Sequence, residues 1–188
     1  MLCFLHGYDE AAPLEIHRAL TRHGPLRPGN PPMALDDCIV VVPQLPAPGG
    51  DVWRRYAPEV EQIIGLVQAR YRGDAQRTYL TGFSFGGNGV FDLALRQRNV
   101  WAALWPVDPT RVPAEDPQVP IWLSSGEVSR RRRDGFIARL HLGSLGDDAV
   151  ADRVYVDRGL DHVGTATEAY RDERIYAWLL TKRLSGAT

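Results

Sequence analysis

A chain of 188 residues fits one domain, 1–188, and leaves little room for a second. It is 44% hydrophobic and 24% charged, and 22 basic against 23 acidic side chains leave a formal net charge of -1. That balance excludes a global attraction to nucleic acid or to an anionic membrane surface. No apolar run is long enough to span a bilayer. The first residues have neither the basic head nor the small-residue cleavage site of a secretory leader, so a cytoplasmic location is expected. Cys3 and Cys38 fall in or beside apolar runs and are expected to be free thiols. Lys182 is the only lysine. The arginine excess is therefore a compositional bias and marks no single site.

In chain order, residues 2–5 form an apolar strand that stops at His6-Gly7. It begins almost at the first residue, which suggests a start shortened relative to larger relatives. Residues 13–22 predict a helix with Leu14, Ile16, Ala19 and Leu20 on one side. A Pro/Gly-rich loop follows at 24–32. Residues 38–42 are apolar on both parities, as a strand buried on both faces should be. Residues 52–71 predict a long helix, with Tyr56, Val60, Ile63, Ile64 and Val67 at spacings of three and four and Pro58 in its first turns. Strands are predicted at 77–81, 101–105, 121–124 and 153–156, and helices at 87–96, 131–142 and 172–184. This alternation implies a compact α/β domain. About six mostly parallel strands are joined by right-handed crossovers, with helices on both faces.

Gly82-Phe83-Ser84-Phe85-Gly86 matches G-x-S-x-G between a predicted strand and a predicted helix, the context of a nucleophile elbow. Side chains at Gly82 or Gly86 would collide with the neighbouring strand and helix. The turn places the Ser84 hydroxyl at a helix N-terminus, where developing negative charge is favoured. A serine nucleophile needs a base and an oxyanion hole. Of the five histidines, only His162 follows the last predicted strand. The backbone amides of Phe85 and Tyr8 are the oxyanion candidates, and His6 is expected to hold the Tyr8 loop by hydrogen bonds. The His and Cys spacings match no zinc pattern, and Gly86, Gly87 and Gly89 lack the Lys and Ser/Thr of a phosphate loop. No cofactor is expected.

Leu5-His6-Gly7, the run from Tyr79 through Gly87, and Asp161-His162 resemble the phospholipase/carboxylesterase and predicted-peptidase branch of the α/β-hydrolases. Dienelactone-hydrolase-like and feruloyl-esterase-like enzymes lie close to that branch. The resemblance covers nearly the whole chain. It implies the α/β-hydrolase fold without its usual first two strands, and no insertion in the chain is long enough for a cap domain. It also implies that Ser84 and His162 act together on a small-molecule acyl substrate. Peptidase or acyltransferase activity and a homodimer are further possibilities.

One position departs from that pattern. The acid usually follows the second-last strand in a Gly-x-x-Asp turn, and here Gly126 is followed by Glu127, Val128 and Ser129. Three replacements offer themselves: Asp108 after the preceding strand, Glu127 on the expected loop, and Asp134 in the next helix. With no acid at all, the chain would be a pseudo-hydrolase that binds a ligand or runs a non-hydrolytic step. The Arg130–Arg133 run is expected to be a solvated helix start, with attraction of an anionic partner as the alternative.

Overall fold

A computed structural model describes residues 1–32, 36–144 and 152–184. Its strands are β1 (Leu2–Leu5), β2 (Val40–Val41), β3 (Tyr79–Phe83), β4 (Ala103–Val107), β5 (Ile121–Ser125), β6 (Gly143–Ser144) and β7 (Arg153–Asp157). They form one sheet in the order β2-β1-β3-β4-β5-β7-β6, with every pairing parallel. The helices are α1 (Ile16–Arg22), α2 (Ala57–Tyr71), α3 (Phe85–Arg96), α4 (Glu127–Arg130), α5 (Arg133–Leu140), α6 (His162–Arg171) and α7 (Glu173–Leu180).

Side chains alternate across each strand, and both faces of the sheet are covered. Cys3, Leu5, Leu80, Leu104 and Leu123 face one core with Val60 and Ile64 of α2, Phe91 of α3 and Phe136 of α5. Leu2, Phe4, Tyr79, Trp105 and Trp122 face the other with Tyr170 of α6 and Tyr176 and Trp178 of α7. All residues of β1, β3, β4 and β5 are buried. That explains why these strands read as continuous apolar runs. Burial also pushes the Cys3 thiol up to about 12.

Several boundaries differ from the sequence reading. The sheet has a seventh strand, β6, a two-residue edge. Its Gly-Ser sequence carries no periodic signal. β3 and β4 begin and end two residues later than predicted. The expected helix at 52–71 opens as a 3-10 turn at Trp53–Tyr56 and becomes α-helical at Ala57, with Pro58 in its first turn. There the missing proline N–H costs no helical hydrogen bond. The expected helix at 131–142 is the shorter α5, and a separate four-residue helix, α4, precedes it. α6 was not anticipated. Asp161 caps it by accepting from the Gly164 N–H at 2.6 Å, and two β-branched threonines and a glycine weaken its helical pattern. Among the described residues, no helix is long and apolar enough to cross a membrane.

Candidate active site

The site lies at the carboxyl ends of β3, β4, β5 and β7. Immediately after β3, Ser84 has φ 58° and ψ -118°. A side-chain-bearing residue rarely adopts this conformation, and tight surroundings must hold it. Those surroundings need glycine. A Cβ on Gly86 would sit 2.6 Å from the Leu5 carbonyl carbon and 2.7 Å from the His6 oxygen. One on Gly82 would sit 2.5 Å from the Gly86 carbonyl carbon. The first turn of α3 therefore lies directly against the end of β1, and Ser84 is held at the helix N-terminus.

The parallel register sets Phe83 beside Val107. Asp108 therefore emerges next to Ser84 on the neighbouring strand, at φ 40°. It is fully buried. Its Oδ1 accepts from the Gly126 N–H at 2.9 Å, the Ser129 N–H at 2.8 Å and the Ser129 hydroxyl at 2.6 Å. Its Oδ2 accepts from the Val128 N–H at 3.3 Å and from His162 Nδ1 at 2.6 Å. Burial alone would raise this carboxyl. The hydrogen bonds from His162 and Ser129 outweigh burial and hold it below the usual carboxylate range.

His162 is the first residue of α6. An ionised Asp108 only accepts, so His162 Nδ1 carries the proton and Nε2 is left to accept. That Nε2 lies 2.9 Å from Ser84 Oγ. The Phe83 ring packs on the imidazole with centroids 4.5 Å apart. The structure thus brings Ser84, His162 and Asp108 into one hydrogen-bonded series. Glu127 is not part of it: its exposed carboxylate pairs with Arg131 at 3.4 Å. Asp134 lies in the first turn of α5 and is exposed.

No protein-family model matches the chain, and no curated protein matches it in sequence. Solved structures do match. A thermostable esterase has a TM-score of 0.72 at 20% identity, over 97% of this chain and 54% of its own. This chain therefore spans about half the length of that esterase. The fluorophosphonate-binding serine hydrolase F of Staphylococcus aureus matches with a TM-score of 0.63 at 13% identity, over 95% of this chain and 82% of its own. An S-formylglutathione hydrolase from Agrobacterium tumefaciens matches with a TM-score of 0.63 at 15% identity, over 98% and 84%. The chain has the α/β-hydrolase fold.

Within this α/β-hydrolase fold the other predicted residues lie on the loop after β1 and in the first turn of α3. His6 holds the loop after β1. Its Nε2 accepts from the Leu45 N–H at 2.9 Å, its Nδ1 donates to the Gly7 carbonyl at 2.7 Å, and its own carbonyl accepts from Trp53 Nε1 at 3.0 Å. Burial lowers its pKa, although the Gly7 hydrogen bond opposes the shift. A Cβ on Gly7 would lie 3.4 Å from Ser84 Cβ, so this loop borders Ser84. The rings of Tyr8 and Phe85 meet edge-on at 6.3 Å. Trp53 and Trp105 are buried in the two cores rather than lining the site. No cap domain is evident among the described residues. Nor do the described residues include a group of three or more His, Cys, Asp or Glu that could hold a metal.

The arginine run is not uniformly solvated. Arg130 grips Asp157 through two hydrogen bonds of 2.6 and 2.7 Å and the Leu160 carbonyl at 3.2 Å. This ties the loop that cradles Asp108 to the loop that delivers His162.

Sequence reasoning missed two polar residues here, Ser129 and Glu10. Glu10 is 1% exposed, and among the described residues its Oε1 has no hydrogen-bond partner. Its carboxyl lies beside Gly7, with Oε2 3.2 Å from where a Gly7 Cβ would be. Burial, only partly offset by Arg22 and the Gly7 backbone, pushes it up from 4.5 to about 7. The folded state therefore binds more protons than the unfolded state between those values, and stability falls as pH rises through that window. Glu10→Gln removes this penalty. We expect it to be favoured over wild type by about 2 to 3 kcal/mol more at pH 8 than at pH 5. Urea unfolding of both proteins at the two pH values measures the difference, and a pH-independent offset would contradict a carboxyl raised in this way.

Proposed function

We propose that the chain is a serine hydrolase that cleaves a carboxylic ester or thioester through an acyl-enzyme on Ser84. The observation that carries this reading is the hydrogen-bonded series from Ser84 Oγ through His162 to Asp108. Ser84 Oγ attacks the acyl carbon while His162 Nε2 takes its proton. Asp108 keeps the imidazole in the tautomer that accepts there and stabilises the imidazolium that forms. The backbone N–H groups of Phe85, at the start of α3, and Tyr8, after Gly7, receive the developing oxyanion. His162 then protonates the leaving group. Water, activated by the same imidazole, releases the acyl chain and restores Ser84. The esterases and hydrolases that share the fold support this class of reaction. The Tyr8 and Phe85 rings, with no cap domain among the described residues, favour a small or extended acyl substrate.

The test is labelling by a fluorophosphonate probe, together with hydrolysis of short p-nitrophenyl esters. Folded wild-type protein is expected to label at Ser84 and to hydrolyse the esters. Ser84→Ala is expected to do neither above background. A folded wild type that neither labels nor hydrolyses would instead place the chain among binding proteins built on this fold.

A further inference from the structure

Position 129 is where the resemblance places the acid, yet here it carries a serine whose two donors converge on one oxygen of Asp108. The Ser129 N–H and hydroxyl reach Asp108 Oδ1 at 2.8 and 2.6 Å. Behind Ser129 runs a file of hydroxyls. Ser125 Oγ is 2.8 Å from Ser129 Oγ, and the Tyr155 hydroxyl donates to Ser125 Oγ at 2.9 Å. All three residues are buried.

The direction of each proton follows from the end of the file. An ionised carboxylate accepts only, so Ser129 donates to it. The Ser129 oxygen then accepts from Ser125 and, at 3.3 Å, from the Gly126 N–H. Ser125 in turn accepts from Tyr155. Every hydroxyl points its proton toward Asp108, and each bond polarises the next. Tyr155 anchors the far end from β7, with the Arg133 guanidinium 5.6 Å over its ring. A serine kept only for packing has no need of this alignment.

We propose that Ser129, locked by the Tyr155–Ser125 hydroxyl pair, is a positioning residue that holds Asp108 Oδ1 so that Oδ2 faces His162. The proposal rests on the hydrolase reading above. It supplies a reason for a serine at position 129 that the hydrolase reading alone does not.

The test compares Ser129→Ala and Tyr155→Phe in the wild-type and Asp108→Asn backgrounds. Ser129→Ala is expected to lower kcat about ten-fold or more, with KM within about twofold of wild type. It should also move the low-field proton resonance of His162 Nδ1–H. Tyr155→Phe should shift both readouts in the same direction by less. In the Asp108→Asn background, Ser129→Ala should cost nothing further. An unchanged kcat and resonance in Ser129→Ala would overturn the proposal, as would an equal loss in the Asp108→Asn background. If Ser129→Ala does not fold, Tyr155→Phe decides by the same two readouts. If the wild type neither labels nor hydrolyses, the hydrolase reading fails, while the resonance still decides whether Ser129 positions Asp108.

Discussion

Replacing Asp108 by asparagine is expected to lower kcat for ester hydrolysis about ten-thousand-fold, with little change in KM. The side chain is fully buried and accepts His162 Nδ1 at 2.6 Å. An asparagine that turns its NH2 toward Nδ1 favours the opposite tautomer, which places a proton on Nε2. Nε2 then no longer accepts from Ser84. The companion variant is Glu127→Gln. Among the described residues its exposed carboxylate pairs with Arg131 alone, so its activity is expected to stay within about twofold of wild type. Steady-state kinetics on p-nitrophenyl acetate separates the two. Similar losses in both variants would remove Asp108 from the place assigned to it.

Gly86→Ala is expected to be the most damaging single methyl group for folding. The added carbon would press on the Leu5 carbonyl carbon at 2.6 Å and the His6 oxygen at 2.7 Å. These are backbone atoms, and His6 is pinned by Leu45 and Trp53. Neither side can yield cheaply. The expected loss is about 3 kcal/mol or more, a large share of the ~5–15 kcal/mol that holds a typical domain folded. Urea denaturation, or failure of the variant to accumulate in soluble form, measures it. A variant as stable as wild type would mean that the end of β1 and the start of α3 can move apart.

The parts of the site that lie close together in sequence were legible there. Gly82, Ser84 and Gly86 stand at fixed spacing between an apolar strand and a helix, and the geometry of one tight turn dictates that spacing. His162 was found by its order in the chain. The carboxylate that meets His162 was not legible in the same way. Asp108 and Ser129 are 21 residues apart and meet only because β4 and β5 are neighbours in the sheet. An Asp before a Pro, read locally, is an ordinary turn former. Glu10 escaped notice for a related reason: its burial depends on how the loop after β1 folds back on itself, and no periodicity reports that. β4 was placed two residues early because Trp101 and Ala102 before it are apolar too, and β3 because Gly82 and Phe83 read as part of the turn that follows. The structure settles their ends at Phe83 and Val107, and so sets Ser84 and Asp108 side by side.

The loop after β5 receives the carboxylate of Asp108 from β4, while its own, on Glu127, turns to Arg131. Its amides at Gly126, Val128 and Ser129 all donate to Asp108, and main-chain donors are indifferent to which strand supplies the charge. Such a socket is set by the shape of the loop, so a carboxylate reaching it from either strand would find the same three donors. A search for chains of this kind by aligned acidic residues will overlook those in which the charge has changed strands. A search for the socket itself, three convergent N–H groups beside the imidazole, would find them.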